Sequence, residues 1–334
     1  MIPKTIEWID GRVRLIDQTK LPNTLEIIEC KKPETLIEAI KEMKIRGAPA
    51  IGAAAAMAIA LSAETHKNLE KRELIKKLKE TAKKIRETRP TARNLFWATE
   101  RILKKIKEDK EKEKIIRQII QEAEEIAEED IKINMKIGEK GAELIEDGET
   151  ILTYCNAGSL ATVNYGTALG AIRSAWKQGK KIKVIAAETR PKLQGARITT
   201  YELMEEKIPV TLITDNSIGL IMQRGEIDKV IVGADRILKD GTTYNKIGTY
   251  TVAILAKKHK IPFYVAAPKS TFDLKSKRED VKIEERDPNE VRKIYEHYIA
   301  PRNVPVKNYA FDMTPPEYIT AIITEMGIIT PPYI

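Results

Sequence analysis

Apolar positions along the chain follow two regimes. Up to about residue 145 they recur at helical spacing inside charged segments. Beyond Glu149 they gather into short runs separated by helical patterns. The first regime opens with IEWIDGRVRLID (6–17), whose alternation around Asp10-Gly11 predicts a hairpin. Residues 33–43 predict a short amphipathic helix. The Ala-rich run 48–63 predicts a packed helix, short of a bilayer span, with Pro49 suited to its first turn. Residues 69–85 read as a charged helix that breaks at Thr88-Arg89-Pro90-Thr91, because Pro90 biases Arg89 away from helical geometry. Helix resumes over 92–107. Residues 110–145 form one or two long charged helices, with Gly138 and Gly141 as candidate breaks. The expectation is a mostly helical N-terminal domain with an initial hairpin, residues 1–130, its boundary inside the long helical stretch.

The second regime alternates strand and helix. The runs TILTYC, KVIAAE, VTLITD, KVIVGAD, FYVAAP and a weaker NYAFDM read as strands, with helices beginning near Ala161, Ala196, Ser217 and Thr249. Such alternation implies a parallel, doubly wound sheet, and near-continuous apolar strands imply burial on both faces. The fold class expected is α/β: a helical N-terminal domain plus a Rossmann-like parallel-sheet domain over 131–334.

Composition narrows the partners. The 334 residues carry a net charge of +9, which admits nucleic acid, a membrane surface or a phosphorylated substrate. The lysines are interspersed with glutamates on helical faces, and no stripe of Arg and aromatics appears. A solvated surface with a local anion site is therefore the reading, with no nucleic acid and no membrane. Charged residues reach 32%, dominated by Lys and Glu, and with only 2 Cys this suggests a thermophilic source. Cys30 and Cys155 make no disulfide framework and fit a reducing, cytoplasmic compartment. No signal-peptide pattern opens the chain.

Chemistry collects where ligands bind in doubly wound sheets, at the carboxyl ends of the strands. Cys155 follows the first strand and precedes a small-residue loop and helix. A helix dipole there would lower its thiol pKa, although most free cysteines are small buried hydrophobes. Asp235 ends another strand; partial burial would raise its pKa toward that of a proton donor, while an isolated Asp there is as often a turn cap. Arg46 precedes the Ala-rich helix and suits an oxyanion. Gly47 and Gly52 allow close backbone approach to a ligand or to another helix. Asn245-Lys246-Ile247-Gly248 opens a helix, where Lys246 and free amides resemble a phosphate seat. Neither a P-loop nor a dinucleotide fingerprint is present, and no His/Cys cluster has metal-ligand spacing. A thiol, a carboxylate and a cationic pocket suit proton transfer on a sugar phosphate.

The ordered set IDQTKLP (16–22), RGAPAIG (46–52), RPTARNL (89–95), TYCNAG (153–158), ETRP (188–191) with Gln194-Gly195, GADRI (233–237) and NKIGT (245–249) resembles the methylthioribose-1-phosphate isomerase family. That family is grouped with ribose-1,5-bisphosphate isomerase and the regulatory subunits of translation initiation factor 2B. The resemblance spans essentially the whole chain. It implies an aldose–ketose isomerase of methionine salvage acting on 5-methylthioribose 1-phosphate. It further implies Cys155 and Asp235 as catalytic residues, Arg46, Gly47, Ala48, Arg89, Gln194, Asn245 and Lys246 as substrate-binding residues, a homodimer, and neither metal nor organic cofactor. The two sister classes are the alternatives: a bisphosphate isomerase, or a non-catalytic regulatory subunit. One departure is Tyr154, where the family usually has His before the cysteine.

Overall fold

The computed structural model describes residues 2–89 and 92–333. The chain opens with a three-stranded antiparallel sheet, β1 (Ile6–Ile9), β2 (Arg12–Ile16) and β3 (Ile27–Cys30). The hairpin turns at Asp10-Gly11, both with positive φ; β3 has no clear periodicity and was not expected. Five helices follow: α1 (Pro33–Lys41), α2 (Ala48–Thr65), α3 (Lys71–Thr88), α4 (Arg93–Leu103) and α5 (Lys112–Ala142). The break between α3 and α4 falls where expected, but Pro90 and Thr91 lie outside the described residues.

Helix α2 is the axis of this layer. Every residue from Ala50 to Ala63 is buried, so the helix has no polar face to give water. Its small side chains let α3, α4 and α5 pack closely around it. At 18 residues it is long and apolar enough to cross a membrane, but 83% of it is buried inside the protein.

Helix α5 is one unbroken 31-residue element. Gly138 and Gly141 do not interrupt it; they are where the next helix crosses. A Cβ on Gly141 would lie 2.3 Å from Cβ of Ala171, so only glycine permits the approach. Helix α5 thus contributes Ile115–Ala127 to the N-terminal core and Ile137 and Ala142 to the core under the parallel sheet.

The second half carries β4 (Thr150–Thr153), α6 (Ala168–Lys177), β5 (Lys183–Ala187), α7 (Thr200–Glu205), β6 (Val210–Ile213), α8 (Ile218–Gln223), β7 (Lys229–Val232), β8 (Arg236–Leu238), β9 (Thr243–Lys246), α9 (Thr249–Lys258) and β10 (Phe263–Ala266). Then come β11 (Phe272–Asp273), a short helix α10 (Asn289–Arg292), the small hairpin β12 (Lys293–Ile294) and β13 (His297–Tyr298), β14 (Phe311–Thr314), β15 (Ala321–Thr324) and β16 (Gly327–Ile329). The main sheet has the order β16-β15-β10-β7-β4-β5-β6, parallel except for β16. Its faces alternate residue by residue. Leu152, Val230 and Val265 enter one core, and Ile151, Ile231 and Ala266 the other.

Two expectations need correction. The run NYAFDM does not join the parallel sheet: β14 pairs antiparallel with β9 in a separate four-stranded sheet. The sixth parallel strand is β15, a short fully buried AIIT run close to the C-terminus. The helix expected from Ala161 begins only at Ala168; a single 3-10 turn at Ser159–Ala161 and an irregular loop come first.

Candidate active site

Strand order reverses direction between β4 and β7: the chain builds outward from β4 on one side to β5 and β6, and on the other to β7, β10 and β15. Adjacent parallel strands whose connections leave in opposite directions open a crevice at their carboxyl ends. Cys155 follows β4 and Asp235 follows β7, so the two stand on either side of that crevice.

Cys155 is held by its backbone. Its φ is 62°, a left-handed conformation that costs energy for a side chain and marks a position the surroundings must enforce. Its N–H donates to Thr189 Oγ1 at 2.8 Å, and its carbonyl accepts from Thr199 Oγ1 at 2.7 Å. The N–H groups of Thr189 and Arg190 both donate to Asp215, at 2.8 and 2.7 Å. The loop beyond is pinned by Glu202, fully buried, which accepts from the N–H groups of Ser159 (2.7 Å) and Leu160 (3.0 Å) and from the Asn156 amide (3.0 Å). Because α6 starts so late, the thiol is not at a helix N-terminus. Burial pushes its pKa up, opposed by Lys246 and Arg46 and by the Asn156 N–H. The expected lowering by a helix dipole is therefore corrected.

Asp235 has its N–H bound to the Tyr244 carbonyl at 2.9 Å. Burial raises its carboxyl pKa, against the pull of Lys246, Arg89 and Arg46. The direction agrees with the proton-donor expectation.

Three cations approach from different elements. Arg46, buried just before α2, donates from Nε to Gln18 Oε1 at 3.1 Å, from Nη1 to the Asn156 carbonyl at 3.0 Å, and from Nη2 to Asn156 Oδ1. These partners are neutral, and among the described residues no carboxylate pairs with it. Arg89, at the end of α3, has Nε and Nη1 buried without a partner among the described residues. Lys246, at the end of β9, donates to the Ala310 carbonyl at 3.1 Å and lies over the Phe311 ring. Gln194 Oε1 is buried and unpartnered too. Both Arg89 and Gln194 line the same cavity, so a ligand there has unpartnered polar atoms to meet.

Gly47 caps α2 with φ 97°, and a Cβ there would lie 2.3 Å from the Ala161 carbonyl oxygen. The start of an 18-residue helix, at Gly47 and Ala48, thereby reaches the Cys155 loop. All nine residues singled out from sequence line one cavity of about 120 Å³: Arg46, Gly47, Ala48, Arg89, Cys155, Gln194, Asp235, Asn245 and Lys246. Its apolar wall includes Met43, Pro49, Ile51, Val281 and Phe311.

The backbone seat expected at the start of α9 is not free. The N–H groups of Gly248 and Tyr250 donate to the Asp312 carboxylate, at 2.6 and 3.2 Å. Lys246 therefore enters the pocket through its side chain alone, and Asn245 is tied to Thr249 Oγ1 at 3.0 Å. Sequence reasoning missed Gln18 and Asn156 as holders of Arg46, Glu202 as the anchor of the loop, and Asp312 as the cap. Glu202 lies in unremarkable sequence and Asp312 in the weak NYAFDM run, where nothing marks it as a cap; Gln18 and Asn156 lay inside quoted motifs and could have been found there. Tyr154 is buried beneath the loop, and burial raises its pKa. It is neutral where a histidine could carry charge. Among the described residues no group of three or more His, Cys, Asp or Glu could hold a metal.

Comparison with known proteins places this geometry. Residues 44–331 match the model of the initiation factor 2 subunit family. Methylthioribose-1-phosphate isomerase from Thermotoga maritima is 53% identical over 331 residues, covering 99% of this chain and 96% of that protein. The solved structure of 5-methylthioribose 1-phosphate isomerase from Pyrococcus horikoshii is 46% identical, with a TM-score of 0.93 over 99% of this chain and 94% of that one. A solved structure from Archaeoglobus fulgidus, described as translation initiation factor eIF-2B, subunit delta, is 55% identical, with a TM-score of 0.90 over 99% and 97%. A family match over most of the chain and identities near one half along its whole length lead to one conclusion: this chain belongs to the initiation factor 2 subunit family.

Proposed function

We propose that the protein is an aldose–ketose isomerase that converts 5-methylthioribose 1-phosphate to 5-methylthioribulose 1-phosphate. One observation carries the reading: Cys155 and Asp235 line one cavity together with Arg46, Arg89 and Lys246. The relatives named for this activity at 46–53% identity support it.

The reaction breaks the ring bond between C1 and the ring oxygen, puts a proton on that oxygen, moves one hydrogen from C2 to C1, and takes the proton from the C2 hydroxyl. In this reading Asp235, whose pKa burial raises, supplies the proton to the ring oxygen. Cys155 acts on the hydrogen that passes between C2 and C1. Arg46, Arg89 and Lys246 hold the phosphate, with the unpartnered Gln194 oxygen free to accept from a sugar hydroxyl. Ala48, Pro49, Ile51 and Val281 offer apolar surface to the methylthio group, which a second phosphate could not use. The reading includes a homodimer, supported by the exposed apolar side chains Met204 and Leu212 at α7 and the edge strand β6.

A regulatory subunit of initiation factor 2B is the second reading, favoured by the description of the Archaeoglobus structure. Turnover separates the two. The purified protein should isomerise methylthioribose 1-phosphate with kcat/KM at least ~10-fold above that for ribose 1,5-bisphosphate, about 1.4 kcal/mol of discrimination. Preference for the bisphosphate would overturn the substrate, and no turnover of any sugar 1-phosphate would overturn the isomerase.

A further inference from the structure

Arg89 does not enter the cavity unaccompanied. Its Nη2 lies 3.9 Å from Glu284 Oε2, within ion-pair range but beyond a hydrogen bond. Glu284 Oε1 accepts from Arg286 Nη1 at 2.9 Å, and Arg286 Nη2 donates to Glu290 Oε1 at 2.7 Å. Glu290 lies 3.7 Å from Lys192. Charges of alternating sign thus lead from Lys192 at the surface to Arg89 in the cavity.

Glu284 is also fixed by its backbone. Its carbonyl accepts from the Ala310 N–H at 2.9 Å, and the Ala310 carbonyl in turn accepts from Lys246 Nζ. The carboxylate and the cavity lysine share one short run of hydrogen bonds. A carboxylate in this place opposes phosphate binding, since it neutralises Arg89 and repels an incoming anion. It also bears on Asp235. The charged and titratable groups that share the cavity with Asp235 are Lys246 from β9, Arg89 from α3, Arg46 ahead of α2 and Cys155 after β4, and Glu284 stands behind Arg89. The three cations favour its charged form and Glu284 disfavours it.

We propose that Glu284 is a positioning residue of this site, a resident counter-charge that holds the flank of Arg89 until the substrate's phosphate arrives and whose negative charge, carried next to that arginine, is felt at Asp235. This rests on the isomerase reading above. The arrangement gives up ground-state phosphate affinity and keeps the proton on Asp235 for ring opening. Weakening a uniform binding interaction while protecting a group used in the transition state favours kcat over affinity.

The test uses the purified full-length protein and its Glu284→Gln and Glu284→Asp variants. Binding of inorganic phosphate is read by calorimetry, and kcat, KM and the pH profile are read with methylthioribose 1-phosphate. Glu284→Gln should bind phosphate about 5-fold more tightly, the scale of one partly exposed charge pair. Its kcat at pH 8 should fall while KM does not rise, and the alkaline limb of kcat/KM should move to lower pH. Glu284→Asp, with its carboxylate one methylene further back, should show the same shifts in smaller measure, and it decides the matter if Glu284→Gln does not fold. Phosphate binding that is unchanged or weaker, or an alkaline limb that stays in place, overturns the proposal. A wild-type protein that isomerises no sugar 1-phosphate overturns the isomerase reading instead, while the phosphate calorimetry still reports on Glu284 by itself.

Discussion

Arg46 grips Asn156 with both arms of its guanidinium, Nη1 on the main-chain carbonyl at 3.0 Å and Nη2 on the side-chain oxygen. The two are 110 residues apart in the chain. One precedes the central helix of the N-terminal layer, and the other follows Cys155. A cation that lines the cavity is thus also the clamp between the helical layer and the loop that carries the thiol.

A bidentate grip of this kind needs a planar fork, which lysine lacks. Arg46→Lys should therefore raise KM about 10-fold or more although the charge is kept, and Arg46→Ala should raise it further. Arg89→Ala and Lys246→Ala should also act mainly on KM, since in the proposed reaction both hold phosphate in ground and transition states alike. Steady-state kinetics decide this; a loss confined to kcat would contradict the assignment.

Cys155→Ser and Asp235→Asn should each lower kcat by at least ~10²-fold, the scale of a lost acid–base group. Both replacements are nearly isosteric, so thermal melts should stay within a few degrees of the wild type. In the proposed reaction Asp235 acts in its protonated form, and burial raises its pKa. Activity should persist above the pH at which an ordinary Asp has ionised, then fall on the alkaline side as the proton leaves. A pH–rate profile with no alkaline limb would remove Asp235 from the role of acid.

Asp130 on α5 offers a stability test away from the cavity. It accepts from the Val163 N–H at 2.7 Å, and burial pushes its pKa up to about 7. Its pKa is higher in the folded chain than in the unfolded chain, so the folded state binds more protons between the two values. Stability is present at low pH and is lost as pH rises from about 4 to about 7. Asp130→Asn keeps an acceptor for Val163 and removes the buried charge. Its Tm at pH 8 should rise by about 2 °C or more, and its dependence on pH over that window should flatten. Equal slopes in the two proteins would show that Asp130 does not titrate there.

Gly47→Ala should be costly for two reasons. The residue has φ 97°, and the new Cβ would sit 2.3 Å from the Ala161 carbonyl oxygen. The start of α2 and the Cys155 loop must separate to make room. A loss of about 2 kcal/mol or more in stability is expected, together with a higher KM. Chemical denaturation and kinetics on the same preparation check both; a variant with wild-type stability would mean that the loop yields freely.

Much of this architecture was legible before any coordinates. The hairpin at residues 6–17 follows from a period of 2, and the Ala-rich helix and five of the six parallel strands from apolar runs of helix or strand length set between turn and helix signals. The residues lining the cavity were legible in two ways: Arg46, Cys155, Asp235 and Lys246 stand out by residue type at strand and helix ends, whereas Ala48, Arg89 and Gln194 came only from the resemblance of short motifs to a family.

What resisted reading was set by contacts distant in sequence. Strand β15 is four apolar residues, and periodicity alone does not tell such a run from buried helix. Gly138 and Gly141 look like helix breakers until α6 is laid across them. The thiol of Cys155 looks dipole-activated until the following loop moves α6 away and burial raises its pKa. The amides at the start of α9 look free until β14 brings Asp312 over them. Residue type and local period determined which elements form and which side chains carry chemistry. Only tertiary structure decided which charges meet, since burial and pairing depend on neighbours that local sequence does not name.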